Sequence, residues 1–253
     1  MDFDIIKIGG SVITDKSGFE KARLARIKEI AAALAAHHLK GRRFVLVLGA
    51  GSFAHPHVIK YGLVGEIESP SQLEGVQAIR KSVAGLAHLM ALELAKNGCR
   101  CVFCPIGSLV TLDRKAIVSF DSVPFEKAMA NNEIPITIGD MARDGALGYA
   151  PLSGDRILAH LGKGARRALL VSDMDGVMAD GKVIPSITAA NFKGLEAHLG
   201  ASKNTDVTGG MRGKVLELLE MKAPAMVIPC GKGCANLKAA LEGKACEGTK
   251  INF

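Results

Sequence analysis

The sequence predicts an α/β protein: a three-layer αβα sandwich, with one open, mainly parallel sheet and helices on both faces. Three observations point there. Short apolar runs recur along the chain, each closed by Gly, Pro or Asp. Stretches of helical period lie between them. The strand-like runs are almost unbroken in their apolar character, as suits strands buried in a sheet.

The strand candidates, in order, are IIKIGG, RRFVLVLG, CRCVFCPI, EIPITIGD, ARRALLVSD and PAMVIPCG. Helical patterns cover about 20–37, 71–97, 122–131, 153–162, 191–199, 209–222 and 233–242. Residues 115–121 and 147–152 add a hairpin or short strands near the middle. A soft boundary near Pro151 divides a single 1–253 domain into lobes of about 1–150 and 151–253. In such sheets ligands collect beyond the carboxyl ends of the strands. The turns that follow the strands are therefore where function is sought.

Composition narrows the classes. The 253 residues are 48% hydrophobic, enough for a sizeable core. No apolar run approaches the roughly 18 to 20 residues of a membrane span. The opening MDFDIIKIGG has neither a basic n-region nor a cleavage site, so a cytoplasmic protein is expected. Six cysteines form no regular disulfide framework. The net charge of +7 comes from scattered basic residues, and aromatics are 4% with no Trp. That argues against a nucleic-acid surface and for a small anionic ligand.

The first turn is KIGGSVITDKS. Gly9, Gly10 and Ser11 follow Lys7, which sits inside the strand. Bare backbone lets N–H groups approach a phosphate, and Lys7 can add a point charge. A plain tight turn is the alternative. Lys16 is either a second cation or a solvated surface residue. The second turn, GAGSFAHP, clears the backbone at Gly49 and Gly51. Pro56 suits a helix start and puts His55 beside exposed donors. His55 is then an anion ligand or a mere cap. His57 is read as a surface residue.

Further along, Ser153 caps a helix whose first turn holds Gly154 and Asp155. Asp155 is either a dipole partner or the group that holds lysines across a phosphate cleft. In VSDMDGV, Asp173 and Asp175 suggest a metal or an ordinary turn. In DVTGGMRGKVLELLE, Thr208 is a helix cap and Gly209 and Gly210 open the helix start. Lys214 can bend back toward them, while Val215, Leu218 and Leu219 form a buried face. Cys99, Cys101, Cys104, Cys230 and Cys234 lack paired zinc knuckles, and small buried hydrophobes are the preferred reading. No metal-ligating residue is assigned.

Together KIGGSVITDKS, GAGSFAHP, YAPLSGD, VSDMDGV, DVTGGMRGK and EGTKI resemble the amino acid kinase superfamily, most closely its archaeal-type isopentenyl phosphate kinases. The resemblance implies the amino acid kinase fold and transfer of the γ-phosphoryl group of MgATP to isopentenyl phosphate, in an alternative mevalonate route. It also implies a homodimer. By resemblance, Lys7 and Lys214 neutralise the transferring group, and Gly9, Gly10, Ser11, Gly51 and Gly209 cradle ATP phosphates. Lys16 assists there, and Asp173 lines the nucleotide side. Asp155 orients the lysines. Ala50, His55 and Gly154 hold the acceptor phosphate. The acceptor's apolar tail needs a slot, and Val83, Leu86, Leu89 and Met90 are either its wall or ordinary core. A fosfomycin-type kinase and a non-catalytic nucleotide-binding protein are the competing readings. The family turn is commonly G-G-G-S-F-G-H, so Ala50 and Ala54 are costly if either position needs φ > 0.

Overall fold

A computed structural model describes residues 2–196 and 210–252. The first half of the chain carries β1 (Asp4–Ile8), α1 (Gly10–Ile13), α2 (Leu24–His38), β2 (Phe44–Leu48), α3 (His55–Tyr61), α4 (Pro70–Lys96), β3 (Cys101–Phe103), α5 (Ile106–Leu109), β4 (Val110–Asp113), β5 (Ala116–Phe120), α6 (Val123–Ala130), β6 (Ile134–Ile138), β7 (Asp140–Asp144) and β8 (Gly148–Leu152). The second half adds α7 (Gly154–Gly162), β9 (Arg167–Ser172), β10 (Met178–Ala179), β11 (Lys182–Val183), β12 (Ser186–Thr188), α8 (Ala189–Leu195), α9 (Gly210–Glu220), β13 (Ala225–Pro229), α10 (Ala235–Leu241) and β14 (Thr249–Asn252).

The main sheet has eight strands in the order β12-β14-β13-β9-β1-β2-β6-β3. Its middle is parallel from β13 to β3, and β14 joins β13 antiparallel. Strand β1 is central, with Lys7 level with Val47 of β2 and Leu170 of β9. The predicted three layers follow from its alternation. Ile6 and Ile8 pack with Ile27, Leu34, Leu86 and Leu237 from α2, α4 and α10. Ile5 faces the other way, against Phe125, Ile157, Val215 and Leu218 from α6, α7 and α9. With both faces covered, a run such as FVLVL shows no polar alternation, and all five of its residues are buried.

Several expectations move. The helix expected over 20–37 starts only at Leu24, because Thr14 and Ala22 form a β-bridge first. Residues 116–120 and 148–152 are strands, but not one hairpin. They are the outer strands of a separate sheet ordered β5-β4-β7-β8. The cysteine-rich run shrinks to an edge strand, Cys101–Phe103, that is half exposed. Cys99 and Cys104 are buried and Cys101 is half-buried. Burial pushes the Cys104 thiol up to about 11. Val83, Leu86 and Met90 have no exposure and are filled into the core, so they cannot also line an open slot, while Leu89 is half-buried. Val215 and Leu218 are buried as expected, and Leu219 only partly.

At the amino end of β1, Asp4 is fully buried. Arg166 donates to its Oδ1 from Nε at 2.9 Å and Nη2 at 2.8 Å, and Arg167 donates to its Oδ2 at 3.0 Å. Burial pushes this carboxyl up, but His37 and the two arginines outweigh it and hold it at about 2. Arg167 also donates to the Ala240 and Leu241 carbonyls at the end of α10.

Candidate active site

Lys7 shares a face of β1 with Ile5, so its side chain points toward α7. Ser153 caps α7 by accepting from the Arg156 N–H at 3.3 Å, which places Asp155 in the first turn. The two side chains meet: Lys7 Nζ donates to Asp155 Oδ1 at 2.5 Å, with side-chain exposures of 10% and 13%. A buried cation and carboxylate this close cannot be separated cheaply, since each would lose an opposite charge that compensates it for leaving water.

The bare turns close around this pair. A Cβ on Gly10 would lie 2.5 Å from the Gly51 nitrogen, and one on Gly49 would lie 2.4 Å from the Gly10 nitrogen. The first two turns are therefore packed backbone to backbone. Thr14 stitches them, donating to the Gly10 carbonyl at 2.7 Å and accepting from the Ser52 N–H at 3.2 Å. A Cβ on Gly154 would lie 3.1 Å from the Leu48 carbonyl oxygen and 3.3 Å from Lys7 Cε. Gly9 donates to the Val171 carbonyl of β9 at 2.8 Å, tying this corner to the second half of the chain.

A second ion pair stands outside the first. Lys16 Nζ donates to Asp173 Oδ2 at 2.9 Å, and both side chains are solvent-accessible. Burial pushes Asp173 up, but hydrogen bonds from Lys16 and Ser11 more than reverse it. His55 is exposed and is the first residue of α3. No side chain caps that helix, so His55 is not spent as a cap. Ala50 lies one turn earlier with φ −72°, and Ala54 has φ −123°. Neither alanine needs the left-handed region, so neither is strained. Gly51, at φ +52°, is the residue that does.

The structure thus gathers Lys7, Gly9, Gly10, Ser11, Gly51, Gly154 and Asp155, and joins Lys16 to Asp173. Lys214 is half-buried on α9, which packs against α7. Thr208 and Gly209 lie outside the described residues. His57 is a correction. It is buried, with Nε2 2.7 Å from Glu20 Oε1, and its ring packs between Phe19 and Tyr61.

Residues 3–228 match the model of the amino acid kinase family. An isopentenyl phosphate kinase of Haloferax volcanii is 36% identical, over 99% of this chain and 99% of its own. One from Methanocaldococcus jannaschii is 29% identical over 98% of both. A solved isopentenyl phosphate kinase superposes with TM-score 0.82 at 25% identity, covering 99% of this chain and all of its own. The chain belongs to the amino acid kinase family. Within that family it stands with the isopentenyl phosphate kinases.

Two acids of this amino acid kinase escaped the sequence reading. Asp140 opens β7 just past the carboxyl end of β6, and burial pushes it up to about 6 against its Met141 N–H bond and Arg80. Glu217 lies one turn beyond Lys214. Burial, with Asp155 nearby, pushes it up to about 7, while Arg156 and Lys7 pull it down. Its Oε2 is buried with no hydrogen-bond partner among the described residues. Asp140 reads as the residue that closes the EIPITIGD strand and Glu217 as a polar position of the 209–222 helix, so only packing reveals their burial.

Glu217 gives a pH signature. Its folded value lies above its ordinary value of 4.5. Below pH 4.5 it is protonated folded or unfolded and costs nothing. Between 4.5 and about 7 only the unfolded chain releases the proton, so stability falls with rising pH and then levels off. Glu217→Gln should raise stability at pH 8 by about 1 kcal/mol, after allowing for its partial exposure, and by nothing near pH 4. Urea midpoints across that range check it, and equal gains at both ends would contradict it.

Gly51→Ala should also be costly. The left-handed backbone disfavours any Cβ, and this one would fall 2.1 Å from Thr14 Oγ1. A loss of about 2 kcal/mol or more is expected in urea unfolding, with a raised KM for the nucleotide. Ala50→Gly, by contrast, should leave both nearly unchanged.

Proposed function

We propose that this chain transfers the γ-phosphoryl group of ATP to isopentenyl phosphate, giving isopentenyl diphosphate. The full-length likeness to isopentenyl phosphate kinases carries this reading, and the chemistry of the gathered residues fits it. The acceptor phosphate has a second pKa of about 6, so it is already a nucleophile near neutral pH and needs no general base. The problem is instead to bring two anions together.

This chain's residues are suited to that. At Gly9, Gly10 and Gly51 the facing turns leave no room for a Cβ, and a corner of bare backbone of this kind suits the close approach of a polyphosphate. Ser11, Lys16 and Asp173 flank the nucleotide, and Gly209 belongs to the same cradle. Magnesium, bound with ATP, adds charge neutralisation on the phosphate oxygens. Lys7 and Lys214 stabilise charge on the group in flight. Asp155 holds Lys7 at a fixed angle rather than accepting a proton. Ala50, His55 and Gly154 receive the acceptor phosphate. The nucleotide sits toward the 151–253 side and the acceptor toward the 1–150 side, in a homodimer.

An acceptor screen with MgATP tests it. Isopentenyl phosphate should be phosphorylated with the highest kcat/KM among isopentenyl phosphate, fosfomycin, carbamate and N-acetylglutamate. Turnover confined to one of the other three would replace the reading, and ATP binding without any turnover would remove it.

A further inference from the structure

A pair of cysteines meets at the turn after β13. Cys230 and Cys234 flank Gly-Lys-Gly, and their sulfurs lie 3.1 Å apart. Both are buried. The backbone is bent to bring them together. Gly231 has φ +73° and Gly233 φ +57°. Cys234 itself has φ +58°, a conformation that a non-glycine residue rarely holds without cause. From α2, Arg26 Nη1 approaches the Cys230 sulfur at 3.9 Å while donating to the Gly231 carbonyl at 3.0 Å. Glu29 Oε2 is 4.0 Å from the Cys234 sulfur and is paired with Arg26 at 2.8 Å. Two thiols in contact share a proton. The Cys230 hydrogen bond and Arg26 favour the thiolate on Cys234 and outweigh burial and the Glu29 carboxylate, which oppose it, while the same Cys230–Cys234 contact pushes Cys230 up.

We propose that Cys230 and Cys234 are a redox-modification site that closes to a disulfide under hydroperoxide. The Cys234 thiolate attacks one peroxide oxygen. The O–O bond breaks, hydroxide leaves, and Cys234 becomes a sulfenic acid. The Cys230 sulfur then attacks the Cys234 sulfur. The S–S bond forms, the S–O bond breaks, and the departing hydroxide takes the Cys230 proton as water. The thiols lose two electrons and the peroxide gains them. The oxidant is a hydroperoxide because burial denies a bulky disulfide the in-line approach that exchange requires. The ring closed is too short to restrain the unfolded chain much, so this is a reactive link and not a structural staple.

The sequence supplies a clean assay. Lys232 lies between the two cysteines, so trypsin separates Ala223–Lys232 from Gly233–Lys238 unless a bond joins them. Native protein is treated with hydrogen peroxide or with oxidised glutathione, alkylated, and digested without reduction. The expected result is one linked peptide pair, lighter than the two free peptides by two hydrogens, formed with peroxide and released by dithiothreitol. Cys230→Ser, its folding checked by circular dichroism, should instead leave Cys234 trapped by a sulfenic-acid reagent. Recovery of both peptides alkylated and unlinked after peroxide overturns the site. A link formed by glutathione disulfide but not by peroxide overturns the oxidant assigned.

Discussion

Lys7→Met should lower kcat for phosphoryl transfer by about a thousandfold, with a smaller rise in KM for ATP. The ammonium sits on the central strand, its backbone paired on both sides with β2 and β9 and its charge held by Asp155. Removing it also strands Asp155, which is almost as buried as Lys7. An uncompensated carboxylate there costs roughly 3–5 kcal/mol of stability, so the single variant mixes two losses. The double variant Lys7→Met with Asp155→Leu separates them. It should regain most of the stability in urea unfolding and none of the turnover. Recovery of turnover in the double variant would show that the lysine serves only to neutralise Asp155.

His55→Ala should raise the KM for isopentenyl phosphate by about thirtyfold or more, while the KM for ATP changes less than about twofold. The histidine heads α3 immediately after the Gly51 turn, is exposed, and makes no capping bond, so no side-chain hydrogen bond among the described residues consumes its donor capacity. Stability should be nearly untouched for the same reason. His55→Gln, which keeps a donor on a side chain of similar reach, should recover part of the acceptor affinity. Equal effects on both substrates would place the imidazole outside the acceptor subsite. His57, two residues on, makes the contrast: it is buried against Glu20, and His57→Ala should lower stability while leaving the KM ratio alone.

The layers of this protein were legible because local pattern and burial agree. Continuous apolar runs mark strands covered on both faces, and β1, β2, β6, β9 and β13 all read that way. The glycine turns were legible because bare backbone has few uses at a strand's carboxyl end. What escaped has a common origin in distant pairing. Strands β4 and β7 carry Asp113, Asp140, Arg143 and Asp144, and only their lateral partners make them strands. His57 looked like surface because Glu20, on a loop with φ +49°, arrives from another part of the chain. Thr14 drew no attention as one more polar residue in a turn, yet it joins two turns that lie far apart in sequence.

The clasp on β1 bears on how the polypeptide matures during synthesis. Its Asp4 waits for Arg166 and Arg167, its Lys7 waits for Asp155, and its second flank waits for β9. A nascent chain that has emerged only through Leu152 holds a charged, half-paired strand at what becomes the middle of the sheet. A polypeptide ending at Leu152 should therefore fold poorly by itself and be exposed to chaperones and proteases until the rest of the chain follows.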